Sequence, residues 1–266
     1  MASRTTRSLK HDYELYVERE IENYKDSIPR NSLLSIGDDA VRTLEDQSQM
    51  VLTELVLWEE VDRIIMHRLR IPAYRTWRRR SLRMLEQYRR PEHWGLRPES
   101  VLVRALRSTG ESHVLVAGDT AERVALYLAA NGCDVTAIDV PDDVLERVLS
   151  AAGAAGLAER VRPCATDIEH WTPDAPLNAV VCTPAALSRL SPAERRDVIQ
   201  LLKNATADGG VHLVETIVAG HEALSVTELR AQYDGWEITV EREAGAAGAA
   251  NGAAPSRSFL ARKSAA

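Results

Sequence analysis

From residue 113 onward the chain alternates short apolar runs with amphipathic stretches, and near its end the alternation stops. HVLVA (113–117), DVTAIDV (134–140), RVRPCA (160–165), NAVVCT (178–183) and GVHLVETIV (210–218) read as strands, each parted from the next by a helix-length pattern or a turn-rich segment. Strands that alternate with helices pair in parallel through right-handed crossovers, because each helix must carry the chain back to the same edge. The last two runs, WEITVERE (236–243) and RSFLARK (257–263), have no helix between them. Their connector, AGAAGAANGAAPS, is too rich in Gly and Ala to pack, so the pair is expected as an antiparallel hairpin. The pattern predicts an α/β, Rossmann-like doubly wound sheet of seven strands with an antiparallel terminal hairpin.

Ahead of this region the periodicity is helical. Helices are expected from His11 to about Lys25, from Asn31 to about Glu45, and from Val51 to about Leu69, the last with Leu55, Trp58, Ile65 and Leu69 on its apolar side. Pro72 suits the first turn of a fourth helix running to about Arg89, and Pro98 opens a short fifth. The turn-rich STGES (108–112) parts residues 1–108, an α-helical arm or lid, from a Rossmann-like domain over 109–266.

Composition narrows the class. Aromatics are 5% with a single Phe, so Ala, Val and Leu must fill the core. The three cysteines, Cys133, Cys164 and Cys182, are far apart and outside any CxxC or Cys/His cluster, which excludes a disulfide framework or zinc site and fits a reducing, cytoplasmic setting; no metal is expected. No apolar run approaches a membrane span, and the first residues lack the apolar stretch of a signal peptide. A net charge of −6 argues against a whole-surface nucleic-acid binder, yet ten arginines and one acid, Glu86, lie between Arg63 and Arg90.

In an open parallel sheet, ligands bind beyond the carboxyl ends of the strands, where strand order reverses. That rule selects Gly118–Glu122 after strand one, Asp139 at the end of strand two, Asp167 after strand three, and Cys182 and Thr183 closing strand four. Asp139 follows the glycine turn by about 20 residues, the register at which a carboxylate accepts hydrogen bonds from both ribose hydroxyls. The plainer alternatives stand beside this: Asp139 and Asp167 as turn acids, Asp119 and Thr120 as caps of the next helix, Cys182 as a packed strand residue.

ALYLAANGCDVTAIDV, NAVVCTPAALSRLSPAERRDVIQLLKNATADGGVHLVETIV and ELRAQYDGWEITVERE, in this order, resemble segments of the class I S-adenosylmethionine-dependent methyltransferases. The closest likeness is to the small-molecule group that includes tellurite-resistance and thiopurine-type enzymes. The resemblance covers about 150 residues (113–263). It implies S-adenosyl-L-methionine as cofactor, a small-molecule methyl acceptor and a transferase activity. The glycine motif is degenerate: Val116 stands where the family has an acid for the cofactor's ammonium group, and Gly118, Thr120 and Glu122 stand at its three glycine positions. Losing that acid removes a charge-assisted hydrogen bond, about 1.5–3 kcal/mol as a class. Asp119 or Glu122 could replace it from another position. By the same carry-over Asp167 would receive the adenine amino group, with Ile168 near the ring and Val140 against adenine or ribose.

The cofactor-binding candidates are therefore Gly118, Asp119, Thr120, Glu122, Asp139, Val140, Asp167, Ile168, Cys182 and Thr183. No catalytic residue is assigned, since methyl transfer by in-line displacement needs positioning more than a general base. No Asn-Pro-Pro-Tyr-type stretch follows strand four, which leans towards a small-molecule acceptor. The alternative is a catalytically inactive, methyltransferase-like protein whose helical arm binds a protein or RNA partner. The arm also offers a surface for a homodimer. In the helix from Pro72 to about Arg89, Tyr74, Trp77, Leu85 and Tyr88 form an apolar stripe. Its arginines would be solvated, or paired with the acids of the first helix, or docked on an anionic ligand.

Overall fold

The computed structural model describes residues 8–45, 54–106, 112–118, 121–138, 142–183, 186–187, 189–217, 225–242 and 256–264. The chain divides into two compact units, Met1–Met84 and Leu85–Ala266.

In the first unit lie α1 (Leu9–Ser27), α2 (Arg30–Glu45), α3 (Glu54–Arg68) and the start of α4 (Tyr74–Tyr88). Its core is small: Ile21, Ile36, Ala40, Val61 and Ile65 are buried together. On α2 the buried residues are Ile36, Ala40 and Leu44, one per turn, as an amphipathic helix requires. The expected face of α3 is corrected. Leu55 and Trp58 are 69% and 48% exposed, whereas Val61 and Ile65 are buried. The N-terminal half of α3 is apolar on every side, so periodicity alone singles out no stripe. The Lys25 ammonium lies 5.7 Å from the centre of the Trp58 ring, which is how that ring meets solvent. Pro72 also falls outside its expected helical turn: α4 starts at Tyr74, and the Pro72 carbonyl accepts a hydrogen bond from the Tyr13 hydroxyl at 3.0 Å.

After the end of α4, the second unit holds a 3-10 turn, Pro91–Trp94, and α5 (Val101–Leu106), followed by β1 (His113–Ala117), α6 (Ala121–Ala130), β2 (Asp134–Ile138), α7 (Asp142–Ala154), β3 (Val161–Pro163) and β4 (Leu177–Cys182). Then come α8 (Pro192–Ala205), β5 (Thr206–Ile217), α9 (Val226–Gln232), β6 (Glu237–Arg242) and β7 (Ser256–Arg262). The seven strands form one sheet in the order β3-β2-β1-β4-β5-β7-β6. β1 to β5 pair in parallel, and β7 runs antiparallel to both β5 and β6. β7 is thus inserted between its hairpin partner and the parallel block, and it is the single reversed strand.

Period-two alternation sorts the strand residues into two layers. Val114 and Val116 of β1, Ala179 and Val181 of β4, and Val211 and Leu213 of β5 share one core with α5 and α6. Leu115, Ala117, Val180, Cys182 and Val214 face the other, with α8 and α9. Burial on both faces is why these strands read as continuous apolar runs. Two boundaries differ from expectation. β3 is shorter, since Pro163 has no N–H for the ladder and the chain turns at Thr166, whose amide bonds to the Cys164 carbonyl at 2.9 Å. β5 starts earlier: Thr206 already pairs with Leu177 before an irregularity at Asp208–Gly210 restores the register from Val211. Gly209 has φ of +73° there, and a Cβ on Gly210 would come within 2.8 Å of the Ala207 carbonyl oxygen, so both positions need glycine.

Candidate functional site

Strand order places β2 on one side of β1 and β4 on the other, so the chain reverses its direction of growth between them. The crevice beyond the carboxyl ends of β1 and β4 is where such a sheet takes a ligand.

Gly118 stands at that crest with φ of +107°, a conformation open to glycine and strained for an L side chain. Its carbonyl accepts from the amide of Ala121, the first residue of α6, at 3.1 Å. A Cβ at Gly118 would lie 2.0 Å from Thr183 Oγ1 and 3.3 Å from Ala186 Cβ. Thr183, 1% exposed, donates its amide to the Ala117 carbonyl at 3.0 Å. The structure therefore brings Gly118 and Thr183 together, and the absence of a side chain at 118 lets the threonine hydroxyl seat there.

The remaining described candidates spread out from this contact. Cys182 is 1% exposed and packs in the α8–α9 layer. Val116, at the position of the family's acid, is fully buried in the opposite layer. The Glu122 carboxylate, in the first turn of α6, lies 3.9 Å from the Arg147 guanidinium of α7. Asp167 is exposed, while the next residue, Ile168, is buried in the same apolar cluster as Ala117 and Ile138. Asp119, Thr120, Asp139 and Val140 lie outside the described residues.

Asp167, Glu169 and His170 bring three potential metal ligands within 4.8 Å of one another, all of them exposed. A separate depression of about 450 Å³ opens on α3 in the first unit, lined by Glu60, Arg63, Ile64, His67 and Arg68. It does not involve the strand crest.

One buried polar cluster was not foreseen from the sequence. His212 of β5 is fully buried between Thr206 and Tyr233. Its Nε2 is 2.7 Å from Thr206 Oγ1, and its Nδ1 is 2.8 Å from the Tyr233 hydroxyl. Thr206 Oγ1 already donates to the Leu202 carbonyl at 2.6 Å, so it must accept from His212 Nε2–H. Nδ1 then accepts from Tyr233, which fixes the neutral tautomer. Burial, reinforced by Lys203 and Lys263, pushes the His212 pKa down to about 3. Burial likewise pushes the Tyr233 phenol well up. The only sequence signal was a histidine inside an apolar strand, VHLV.

No known family profile matches the sequence, and no curated protein matches it. Solved structures do match. TehB from Haemophilus influenzae superposes with a TM-score of 0.50 at 20% identity, over 61% of this chain and 61% of that one. A SAM-dependent methyltransferase from Methanosarcina mazei gives 0.50 at 14% identity, over 63% of this chain and 99% of that one. The [4+2]-cyclase SpnF gives 0.51 at 17%, over 62% and 79%. The chain thus spans about three fifths of TehB. The architecture is the Rossmann-like fold of the SAM-dependent methyltransferases. Because one bearer of this fold is named a cyclase, the fold by itself does not assign the reaction.

Proposed function

We propose that the sheet-bearing unit binds S-adenosylmethionine at the crest of β1 and β4 and transfers its methyl group to a small-molecule acceptor. The observation that carries this reading is the strand order together with the positive-φ Gly118 turn at the point where that order reverses. The flanking residues suit the cofactor's parts. The buried Ile168 beside the exposed Asp167 offers an apolar wall and a carboxylate acceptor for adenine. Asp139 is the candidate for the ribose hydroxyls. Val116 is the misfit, so the ammonium group needs another anion; Asp119 is the better candidate, since the Glu122 carboxylate faces Arg147. Bound there, the cofactor supplies an electrophilic methyl group. The chain's own part is to hold it, align the acceptor and keep water away.

The second reading is a catalytically inactive, methyltransferase-like protein whose glycine-loop pocket is occluded and whose helical arm binds a protein or RNA partner. Thr183 packed onto Gly118 favours it, because that contact explains the surviving glycine without any ligand. Calorimetric titration of the full chain with S-adenosylhomocysteine separates the two. Micromolar binding, lost in Asp139→Ala, is the expected result. Absence of heat together with an unchanged melting temperature would overturn the enzymatic reading and leave the fold intact.

A further inference from the structure

The first unit carries a basic surface that the proposed methyl transfer does not use. On α4, Arg75, Arg78, Arg79, Arg80 and Arg83 are all exposed. None of them makes an ion pair among the described residues. Two acids of α1 are engaged elsewhere: Glu14 faces Lys10 and His11 at 3.9 and 3.8 Å, and Glu22 faces Lys25 at 2.9 Å. The opposite side of the helix is occupied, since Tyr74 and Trp77 each lie 5.4 Å from the Tyr13 ring and Trp77 lies 6.0 Å from Tyr16.

We propose that this arginine face of α4 is a docking surface for single-stranded RNA. At about 1.5 Å of rise and 3.6 residues per turn, Arg75, Arg79 and Arg83 share one side of the helix about 6 Å apart along its axis, with Arg78 and Arg80 to either side of that row. The row offers positive charge in series to the phosphates of a single strand. Residues 75–83 contain no acid to dilute it, although the whole chain has a net charge of −6. The basic character is local. Each guanidinium can fork onto a phosphate or stack on an unpaired base. Leu82, 43% exposed and four and three residues from Arg78 and Arg79, adds an apolar contact for a base face. Membrane insertion is disfavoured because the aromatic face that would enter lipid is packed against α1.

The test is fluorescence anisotropy of the full chain with a labelled mixed-sequence RNA 30-mer across a salt series. Affinity should fall steeply with salt, and the triple variant Arg75→Gln, Arg79→Gln, Arg83→Gln should lose at least about tenfold at low salt and about two units of log–log slope. The matching Arg→Lys triple should keep most of the slope, and circular dichroism confirms that both variants are folded. RNA affinity unchanged in the Gln triple overturns the proposal. So does binding to polyglutamate, duplex DNA or anionic vesicles as tight as binding to the RNA. The outcome is independent of the cofactor titration, so each reading can fail alone.

Discussion

His212 shows how a single buried residue sets a condition on the whole sheet. In the folded chain its ring is neutral, donating to Thr206 and accepting from Tyr233, with its pKa held down to about 3. In the unfolded chain the ring titrates near 6.5. Between these values the unfolded state binds a proton that the folded state does not, so stability falls as pH drops from about 6.5 to 3 and is fully present above 6.5. The loss is about 1.4 kcal/mol per pH unit in that window, with a ceiling of about 4–5 kcal/mol. Urea unfolding at pH 4, 5, 6 and 7 should show the slope, and His212→Gln should remove about one proton from it. An equal slope in both proteins would mean that His212 is already charged in the folded chain. Gly118 constrains a single point differently: with φ of +107° and Thr183 against it, it has no tolerance for a Cβ, whether or not a cofactor ever arrives.

At the scale of elements, Arg195 of α8 joins three pieces of chain. Its guanidinium, 9% exposed as a residue, donates to the Leu187 and Leu190 carbonyls at 3.0 Å each and to the Glu228 carboxylate of α9 at 2.8 Å. Arg195→Met keeps the stem but leaves these acceptors unmet, and should cost about 2–3 kcal/mol. Glu228→Gln retains an acceptor and both carbonyl bonds, so its loss should stay under about 1 kcal/mol; equal losses by urea unfolding would contradict this division. At the start of α8, Ser191 and Glu194 form a capping box. The parallel strands were legible in the sequence, since burial on both faces makes them apolar throughout. The insertion of β7 between β5 and β6 was not, because a strand's sequence records its faces and not its neighbours. Nor was the buried face of α3, where apolar residues surround the helix. Of the site, the Gly118 turn could be read from its place after β1. The Thr183 contact and the His212 cluster could not, as they depend on residues brought together only by the sheet.

For the whole molecule, the strand order marks the crest at which open α/β sheets take their ligands and leaves the reaction unassigned. Both helical layers close on the sheet's faces, and the reversal between β1 and β4 leaves one crest where backbone groups from two strands converge. A ligand held only by the folded crest must stabilise the fold by mass action, about 2.7 kcal/mol at a hundredfold excess over Kd. For a unit spanning residues 85–266, that corresponds to a rise in melting temperature of roughly 5–10 °C. Scanning calorimetry of the full chain with saturating S-adenosylhomocysteine should show this rise in the transition of the sheet-bearing unit, and adenosine alone should give a smaller one. If adenosine matches the full ligand, the altered loop around Gly118 contributes nothing to the amino-acid end, and loss of the acid at Val116 has not been compensated. If the full ligand shifts the transition further, its amino-acid end is held, and loss of that extra shift in Asp119→Ala or in Glu122→Ala identifies the carboxylate that holds the ammonium group.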